Sequence, residues 1–218
     1  MMDMILTNAR LVLDDEIVDD GTLVAGADGR IREISKGPTE VAGALDCAGD
    51  YLIPGLIELH TDNLEKHITP RPKTNWPSVA AVVAHDSQLA AAGITTVLDA
   101  IALGSVVETS ERVHQLESMV AGISDAKQKN LLRADHLLHL RCEVSYPKLK
   151  MLFDEFVSHP LLRLVSIMDH TPGQRQFVSE EQYHIYYQGK FGLSDEEMAA
   201  FTQERKRDQK RYGDAHRR

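Results

Sequence analysis

His60 and Asp62, two positions apart, are the residues of this sequence whose types and spacing best suit metal chemistry. They follow an apolar run, residues 56–60, with the composition of a buried strand. Because alternate residues of a strand point to the same side, both side chains are expected on one face. Imidazole and carboxylate together suit zinc or manganese. The alternative is a strand-end histidine that hydrogen-bonds a neighbouring aspartate.

The segments that must position this pair alternate between strand and helix after Pro54-Gly55. Such alternation is typical of right-handed βαβ units and a parallel sheet. In a barrel of these units the active site lies at the carboxyl ends of the strands, where His60 and Asp62 fall. Strands are predicted at 56–60, 94–100, 136–144 and 161–168, and helices at 78–92, 110–129, 147–158 and from 194 onward.

Residues 1–53 have a different pattern and are predicted to form a small N-terminal β module. Its strands are predicted at 5–13, 17–25 and 30–34. Asp28-Gly29 favours a hairpin turn because glycine accepts a positive φ. The remaining residues, 54–218, supply about four βα units, whereas a closed barrel has eight and about 250 residues. The predicted fold class is therefore α/β, an incomplete (β/α)8 TIM-type barrel preceded by the β module.

Composition narrows the range of functions. The 218 residues carry a formal net charge of −9, which argues against broad nucleic-acid binding. No apolar run reaches the ~18 residues that suggest a membrane span, and the start of the chain has no secretory-signal pattern. The two cysteines, Cys47 and Cys142, lie far apart in the sequence, so a reducing cytoplasm is the expected location. Cys142 is expected to face the outer helices as a small hydrophobic residue.

Several ordered motifs resemble the amidohydrolase superfamily. The run PGLIELH at 54–60 resembles its first barrel strand, and GITTVLD at 93–99 resembles its second. Most of the superfamily ends the first strand with His-x-His, whereas this sequence has Asp62 in the second position. The motif that contains this departure and three further motifs resemble the diphosphatase branch of the carbon–phosphorus lyase pathway. The four motifs are HTDNLEK at 60–66, TPRPK at 69–73, HLRCE at 139–143 and MDHTPGQRQF at 168–177.

This resemblance implies an activity and a metal site. The implied reaction is hydrolysis of α-D-ribose 1-methylphosphonate 5-triphosphate to 5-phospho-α-D-ribose 1-methylphosphonate and pyrophosphate. A divalent metal ion, zinc or manganese, would be held by His60, Asp62, Glu143 and His170. Glu143 and Asp62 are the expected catalytic carboxylates. The alternative for Glu143 is a salt bridge to a neighbouring arginine.

A ribosyl triphosphate substrate also requires cations, because phosphoryl oxygens are recognised by arginine and lysine. Arg71, Lys73 and Arg175 follow strand ends and are the candidate substrate-binding residues; Lys190 is a weaker candidate. His67, His85, His114 and His184 lack a partner pattern and are expected to be solvated or locally bonded. Partners other than the substrate are left open between self-association and other proteins of the pathway.

Two alternative functions remain open. The superfamily also hydrolyses C–N bonds, such as those of cyclic amides and N-acyl groups, and cations that point away from the metal cleft would favour that chemistry. The sequence ends before later strands that carry further ligands in relatives. A truncated, non-catalytic fragment is therefore the other alternative.

Overall fold

The computed structural model describes residues 3–71, 74–105, 111–174 and 177–218. By its internal contacts the chain divides into two compact units, Met1–Gly55 and Leu56–Arg218. Within the described residues, none of the helices combines the length and apolarity required to cross a membrane.

The first unit is a small sheet. Strands β1 (Met4–Val12), β2 (Ile17–Ala25) and β3 (Ile31–Ser35) form antiparallel pairs, as the predicted turns require. The short strands β4 (Leu45–Asp46) and β5 (Tyr51–Leu52), which were not predicted, pair in parallel with β1. A small apolar core of Ala9, Leu11 and Val18 holds this sheet together.

The second unit is built from βα repeats. Its parallel strands lie in sequential order, β6-β7-β8-β9. Sequential order is the arrangement of (β/α)8 barrels, whereas doubly wound sheets reverse their order at a switch point. The predicted fold class is confirmed. The elements are β6 (Leu56–Thr61), α1 (Asn63–Ile68), α2 (Ser78–Ala91), β7 (Ile94–Leu103), α3 (Glu111–Gln128), β8 (Asp135–Glu143), α4 (Leu149–Phe156) and β9 (Leu162–Met168).

One face of this sheet packs against the helices and forms the main core. Helix α2 ends just before Gly93, whose φ of +77° allows the chain to turn directly into β7. The buried apolar residues on the helix-packed face come from β7, β8 and the four helices α1 to α4, and they include Ile101, Leu103, Leu138, Leu140, Cys142, Leu116, Met119, Ile123, Leu149 and Phe156. Cys142 thus lies where the alternation of β8 predicts, and burial raises the pKa of its thiol to about 11.

Helical segments follow β9. They are α5 (Glu180–Phe191), α6 (Asp195–Asp208), a π-helical turn (Gln209–Gly213) and α7 (Asp214–His216). Ser194 and Glu197 form a capping box at the start of α6, where the sequence predicts a helix from residue 194 onward. Helices α1 and α5 were not predicted. The last turn contacts two strand ends: His216 Nδ1 donates to the Val144 carbonyl at 2.9 Å, and the Arg217 guanidinium lies 2.5 Å from the buried Asp169 carboxylate.

A buried network of ionisable side chains joins α2, β7 and β8 on the helix-packed face. Asp99 accepts hydrogen bonds from His85 Nε2 at 3.0 Å and from His136 Nδ1 at 2.7 Å. His136 Nε2 also lies 3.4 Å from Asp86, which accepts the backbone N–H groups of Arg133 and Ala134 at 2.9 Å. The four side chains of the network are at most 1% exposed. His85, expected to be solvated or locally bonded, is instead a structural residue whose partner lies on another element.

Replacing Asp99 with asparagine should destabilise the fold strongly. The change leaves two buried imidazoles without their shared carboxylate, and breaking a buried ion pair typically costs about 3 kcal/mol or more. Urea denaturation measures the free energy of unfolding. Asp125→Asn is the control, because Asp125 pairs with Lys129 on the surface of α3 and such pairs contribute about 0.3 kcal/mol. Equal losses in the two variants would contradict the structural role of the network.

The same network predicts how stability depends on pH. Burial opposes ionisation of Asp99, but hydrogen bonds from His136 and His85 outweigh it and lower its pKa. Burial likewise opposes protonation of His136, but Asp99 and Asp86 outweigh it and raise its pKa. The contribution of His136 is therefore complete below its unfolded value of about 6.5 and is lost as pH rises through the folded value. The contribution of Asp99 is lost as pH falls through its lowered pKa. Urea titrations from acid to alkaline pH should show both losses, and Asp99→Asn should flatten the profile.

Candidate active site

The candidate site lies on the face of the sheet opposite the helices, which we call the inner face. It is defined by His139, Arg141 and Glu143, the alternate residues of β8 that point away from the core. His139 is 2% exposed and Glu143 is 1% exposed. On the opposite face of β8, Leu138, Leu140 and Cys142 are apolar, whereas this face carries polar side chains, which concentrates hydrogen-bonding groups toward the carboxyl end of the strand.

Glu143 and His170 are in direct contact at the ends of β8 and β9. His170 Nδ1 lies 2.5 Å from the Glu143 carboxylate, which also accepts the Ser145 hydroxyl at 2.8 Å. The side chain of His170 is 26% exposed, so its ring reaches the surface while Glu143 is enclosed. A carboxylate bound at Nδ1 fixes the imidazole tautomer and directs Nε2 outward, as in carboxylate–histidine–metal arrangements.

His60 also reaches the inner face, beside His139. Their ring centroids are 5.1 Å apart in an edge-to-face arrangement. His139 donates from Nδ1 to the Leu59 carbonyl at 3.1 Å, and its Nε2 accepts the Ser166 hydroxyl at 2.7 Å. Both ring nitrogens are thus used by a neutral imidazole, which makes His139 a link between β6, β8 and β9.

Asp62 lies outside the strand on which it was expected. Strand β6 ends at Thr61, and Asp62 has φ −102° and ψ 14° at the start of α1. The strand-parity argument is therefore wrong for Asp62. Its carboxylate nevertheless reaches Arg141, with 3.6 Å between the two charged groups. Both members of the His60/Asp62 pair thus contact inner-face residues of β8, His60 through His139 and Asp62 through Arg141.

The predicted substrate-binding cations are only partly within the described residues. Arg71 is exposed and donates from Nε to the Thr74 hydroxyl at 3.3 Å. Lys73 and Arg175 lie outside the described residues, as does the side chain of His114. Lys190 lies on α5, with its ammonium 5.5 Å from the ring centroids of Tyr186 and Phe191.

The structure explains the other singled-out histidines and Asp169 by local contacts. His67 bonds Gln88 at 3.2 Å, and His184 bonds Thr202 at 3.1 Å. Asp169 is buried and bonded to Thr171 and Arg217. These contacts give each of the three residues a structural partner.

The donor types at the inner face fit a divalent cation, since they are imidazole and carboxylate groups at neighbouring strand ends. Glu143 and His170 form one donor pair, and His60 and Asp62 supply donors from the preceding strand end. Among the residues that the structure describes, no three His, Cys, Asp or Glu side chains come together closely enough to hold a metal ion. In this arrangement the buried carboxylate of Glu143 orients the His170 imidazole, and the partly buried guanidinium of Arg141 lies on the same face.

Two inner-face residues, His139 and Arg141, had no role assigned from the sequence. The signal that could have found them is their parity with Glu143 on β8. From the sequence, an arginine near Glu143 is expected only as its salt-bridge partner. In the structure Arg141 pairs with Asp62 instead.

The strand order and the polar strand ends define the class of the second unit, a (β/α)8-type enzyme scaffold. No family model matches the chain. The predicted resemblance is confirmed, because the chain is 45% identical over 201 residues to the alpha-D-ribose 1-methylphosphonate 5-triphosphate diphosphatase of Escherichia coli strain K12. The match covers 92% of this chain and 53% of that relative, so the chain spans about half the length of the relative.

Other matches are shorter or more distant. A dihydroorotase of Trichlorobacter lovleyi is 34% identical over 61 residues, which are 27% of this chain and 14% of the relative. A solved N-acetyl-D-glucosamine-6-phosphate deacetylase from Mycobacterium smegmatis has 18% identity and a TM-score of 0.46 over 79% of this chain and 48% of that one. A solved dihydroorotase has 14% identity and a TM-score of 0.42 over 77% of this chain and 42% of that one.

The imidazole of His139 should titrate below the usual histidine range. Burial lowers its pKa most, and the nearby His60 and Arg141 lower it further against the hydrogen bond to Leu59. NMR titration of the histidine ring protons, assigned with His139→Gln, measures this pKa. Arg141→Gln should raise it by removing one of these charges. A pKa at or above the ordinary histidine value would contradict the neutral, doubly bonded ring.

Proposed function

We propose that this chain supplies strand-end residues for hydrolysis of α-D-ribose 1-methylphosphonate 5-triphosphate. Water would add to a phosphorus atom of the triphosphate and the P–O–P bond next to the leaving pyrophosphate would break. The products are 5-phospho-α-D-ribose 1-methylphosphonate and pyrophosphate. The observation that carries the proposal is the 45% identity over 92% of the chain to a diphosphatase of that substrate.

The geometry of the inner face supports phosphoanhydride chemistry. Glu143 is enclosed and holds His170 at the carboxyl end of the sheet, where a substrate can reach the imidazole. Asp62 and His60 face the same region through their contacts with Arg141 and His139. A carboxylate here can accept the proton of the attacking water, and cationic or N–H groups can stabilise the charge on phosphoryl oxygens.

A divalent metal ion, zinc or manganese, belongs to this proposal. His170 would bind it through Nε2 with Glu143 as ligand or orienting carboxylate, and His60 and Asp62 would complete the donor set that this chain offers. When bound, such an ion lowers the pKa of a coordinated water and neutralises phosphoryl charge. Arg71, Lys73 and Arg175 are proposed to bind the triphosphate. The reducing cytoplasm remains the proposed location, consistent with the buried thiol of Cys142.

Hydrolysis of a C–N bond is the second candidate function. The 61-residue match to a dihydroorotase favours it. The two candidates differ in how much negative charge the substrate carries, because a triphosphate needs several cations near the reacting group whereas the C–N substrates carry one carboxylate or one phosphate group. The contact of Arg141 with Asp62 at the inner face therefore supports the phosphate substrate.

Pyrophosphate release tests the proposed reaction. Protein incubated with zinc or manganese and the ribosyl triphosphate should release pyrophosphate in equal amount to the 5-phospho product, measured by phosphorus NMR. Dihydroorotate and N-acetyl-D-glucosamine 6-phosphate serve as C–N substrates for comparison. Hydrolysis of either of these without attack on the triphosphate, release of orthophosphate in place of pyrophosphate, or inactivity toward all three would refute the proposal.

Zinc affinity tests the donor set without relying on activity. Glu143→Gln should weaken zinc binding about tenfold or more, because the neutral amide neither binds the metal well nor holds His170. Competition with a chromogenic chelator measures the dissociation constant. Glu155→Gln, an exposed carboxylate on α4, is the matched control and should bind as the unchanged protein does. Unaltered affinity in Glu143→Gln would remove Glu143 from the site.

A further inference from the structure

We propose that Arg141 is a polyphosphate-binding residue that donates hydrogen bonds to phosphoryl oxygens of the substrate at the inner face. The inference rests on the proposed function and adds a residue to it, since Arg71, Lys73 and Arg175 are the cations that the sequence assigned. It is carried by the position of Arg141, by its buried Nε donor, which has no partner among the described residues, and by the small residues beside it.

Position places Arg141 between the two donor pairs. It lies two residues before Glu143 and two after His139 on the same face of β8. Its guanidinium contacts Asp62 at the start of α1, while Glu143 contacts His170 at the end of β9. A phosphoryl group held by Arg141 would therefore lie near both sets of candidate metal ligands.

One donor of Arg141 is buried without a partner in the described part of the chain. A guanidinium offers five N–H donors in a planar fork. The side chain is only 16% exposed, and its buried Nε has no hydrogen-bond partner among the described residues. Leaving such a donor unpaired away from water is costly. A tetrahedral oxyanion would satisfy it and a second N–H at once.

The neighbouring strands carry small side chains beside Arg141. In register with it lie Ala102 on β7 and Ser166 on β9. Alanine and serine are among the smallest side chains that strands carry, so neither competes with a ligand for the guanidinium by its bulk.

Asp62 is a weak competitor for this guanidinium. The closest charged atoms are 3.6 Å apart, and the carboxylate is 44% exposed. Solvent-accessible ion pairs of this length contribute little, less than a phosphoryl group bound through two charge-assisted hydrogen bonds. A phosphate can therefore displace Asp62 from Arg141, and the freed carboxylate can then act as the proposed metal ligand.

Binding of inorganic tripolyphosphate in the presence of a chelator tests the inference without metal and without turnover. Isothermal titration calorimetry of the 218-residue protein should show one site. Arg141→Gln should weaken binding at least about tenfold, and Arg141→Lys should weaken it less, because lysine keeps the charge and loses the fork. Asp62→Asn should tighten binding by removing the competing carboxylate.

Arg163→Gln is the matched control. Arg163 lies on β9 near its amino end, exposed and bonded to the carbonyls of Pro160 and Leu162, so its loss removes the same charge from the same sheet. Its affinity for tripolyphosphate should equal that of the unchanged protein. Thermal unfolding of each variant separates lost binding from lost folding; if Arg141→Gln does not fold, Arg141→Lys and Asp62→Asn decide.

The inference is overturned if the unchanged protein does not bind tripolyphosphate, if the Arg141 variants bind it equally well, or if Arg163→Gln weakens it as much. Its failure is distinguishable from failure of the proposed function. If tripolyphosphate binding depends on Arg141 but the ribosyl triphosphate releases no pyrophosphate, Arg141 is a polyphosphate ligand and the proposed reaction is rejected. If Arg141→Gln leaves pyrophosphate release unchanged, the reaction is retained and Arg141 is rejected as a polyphosphate ligand.

Discussion

The alternation of side chains along β8 is the constraint on which the rest of the second unit depends. Leu138, Leu140 and Cys142 must be apolar because helices cover them, and the intervening residues are thereby free to be polar. A shift of one residue in the register of β8 would bury Arg141 and Glu143 against the helices and expose the core residues. The sequence of β8 consequently specifies both the packing of the core and the position of the site. Burial of its helix-packed face fixes the direction of every side chain on its inner face.

Ionisable groups are buried on both faces of this sheet, and they have different consequences. On the helix-packed face, Asp99 is shared by two imidazoles and its hydrogen bonds are internal, so that network contributes to stability. On the inner face, Arg141 retains a donor without a partner among the described residues, and the His170 ring is bonded to Glu143 through Nδ1. Buried polar groups that remain incompletely satisfied are costly to the fold, and they are the groups to which a ligand adds the most.

The elements of the second unit were predictable from sequence because apolar periodicity and turn residues act locally. Gly93 marked the end of α2, and the Ser194/Glu197 spacing marked the start of α6. Helix α5 was missed because its aromatic residues carry little helical periodicity. The contacts of the site could not be predicted in the same way. Asp99 meets His136 across 37 positions of sequence, and Asp62 leaves its strand for a helix start, outcomes that depend on how the strands and helices assemble.

The contact of Arg217 with Asp169 links the end of the helical segment to the strand that carries His170. Asp169 has a fully buried carboxylate, and the guanidinium is the cation that compensates its charge. Without that cation the buried carboxylate would have no compensating charge, which is costly, and the turn that presents His170 would lose a fixed anchor. Arg217 lies far along the chain from the strand ends, yet it stabilises the turn that positions the His170 imidazole. A change in the segment after α6 should therefore affect the carboxyl ends of the strands.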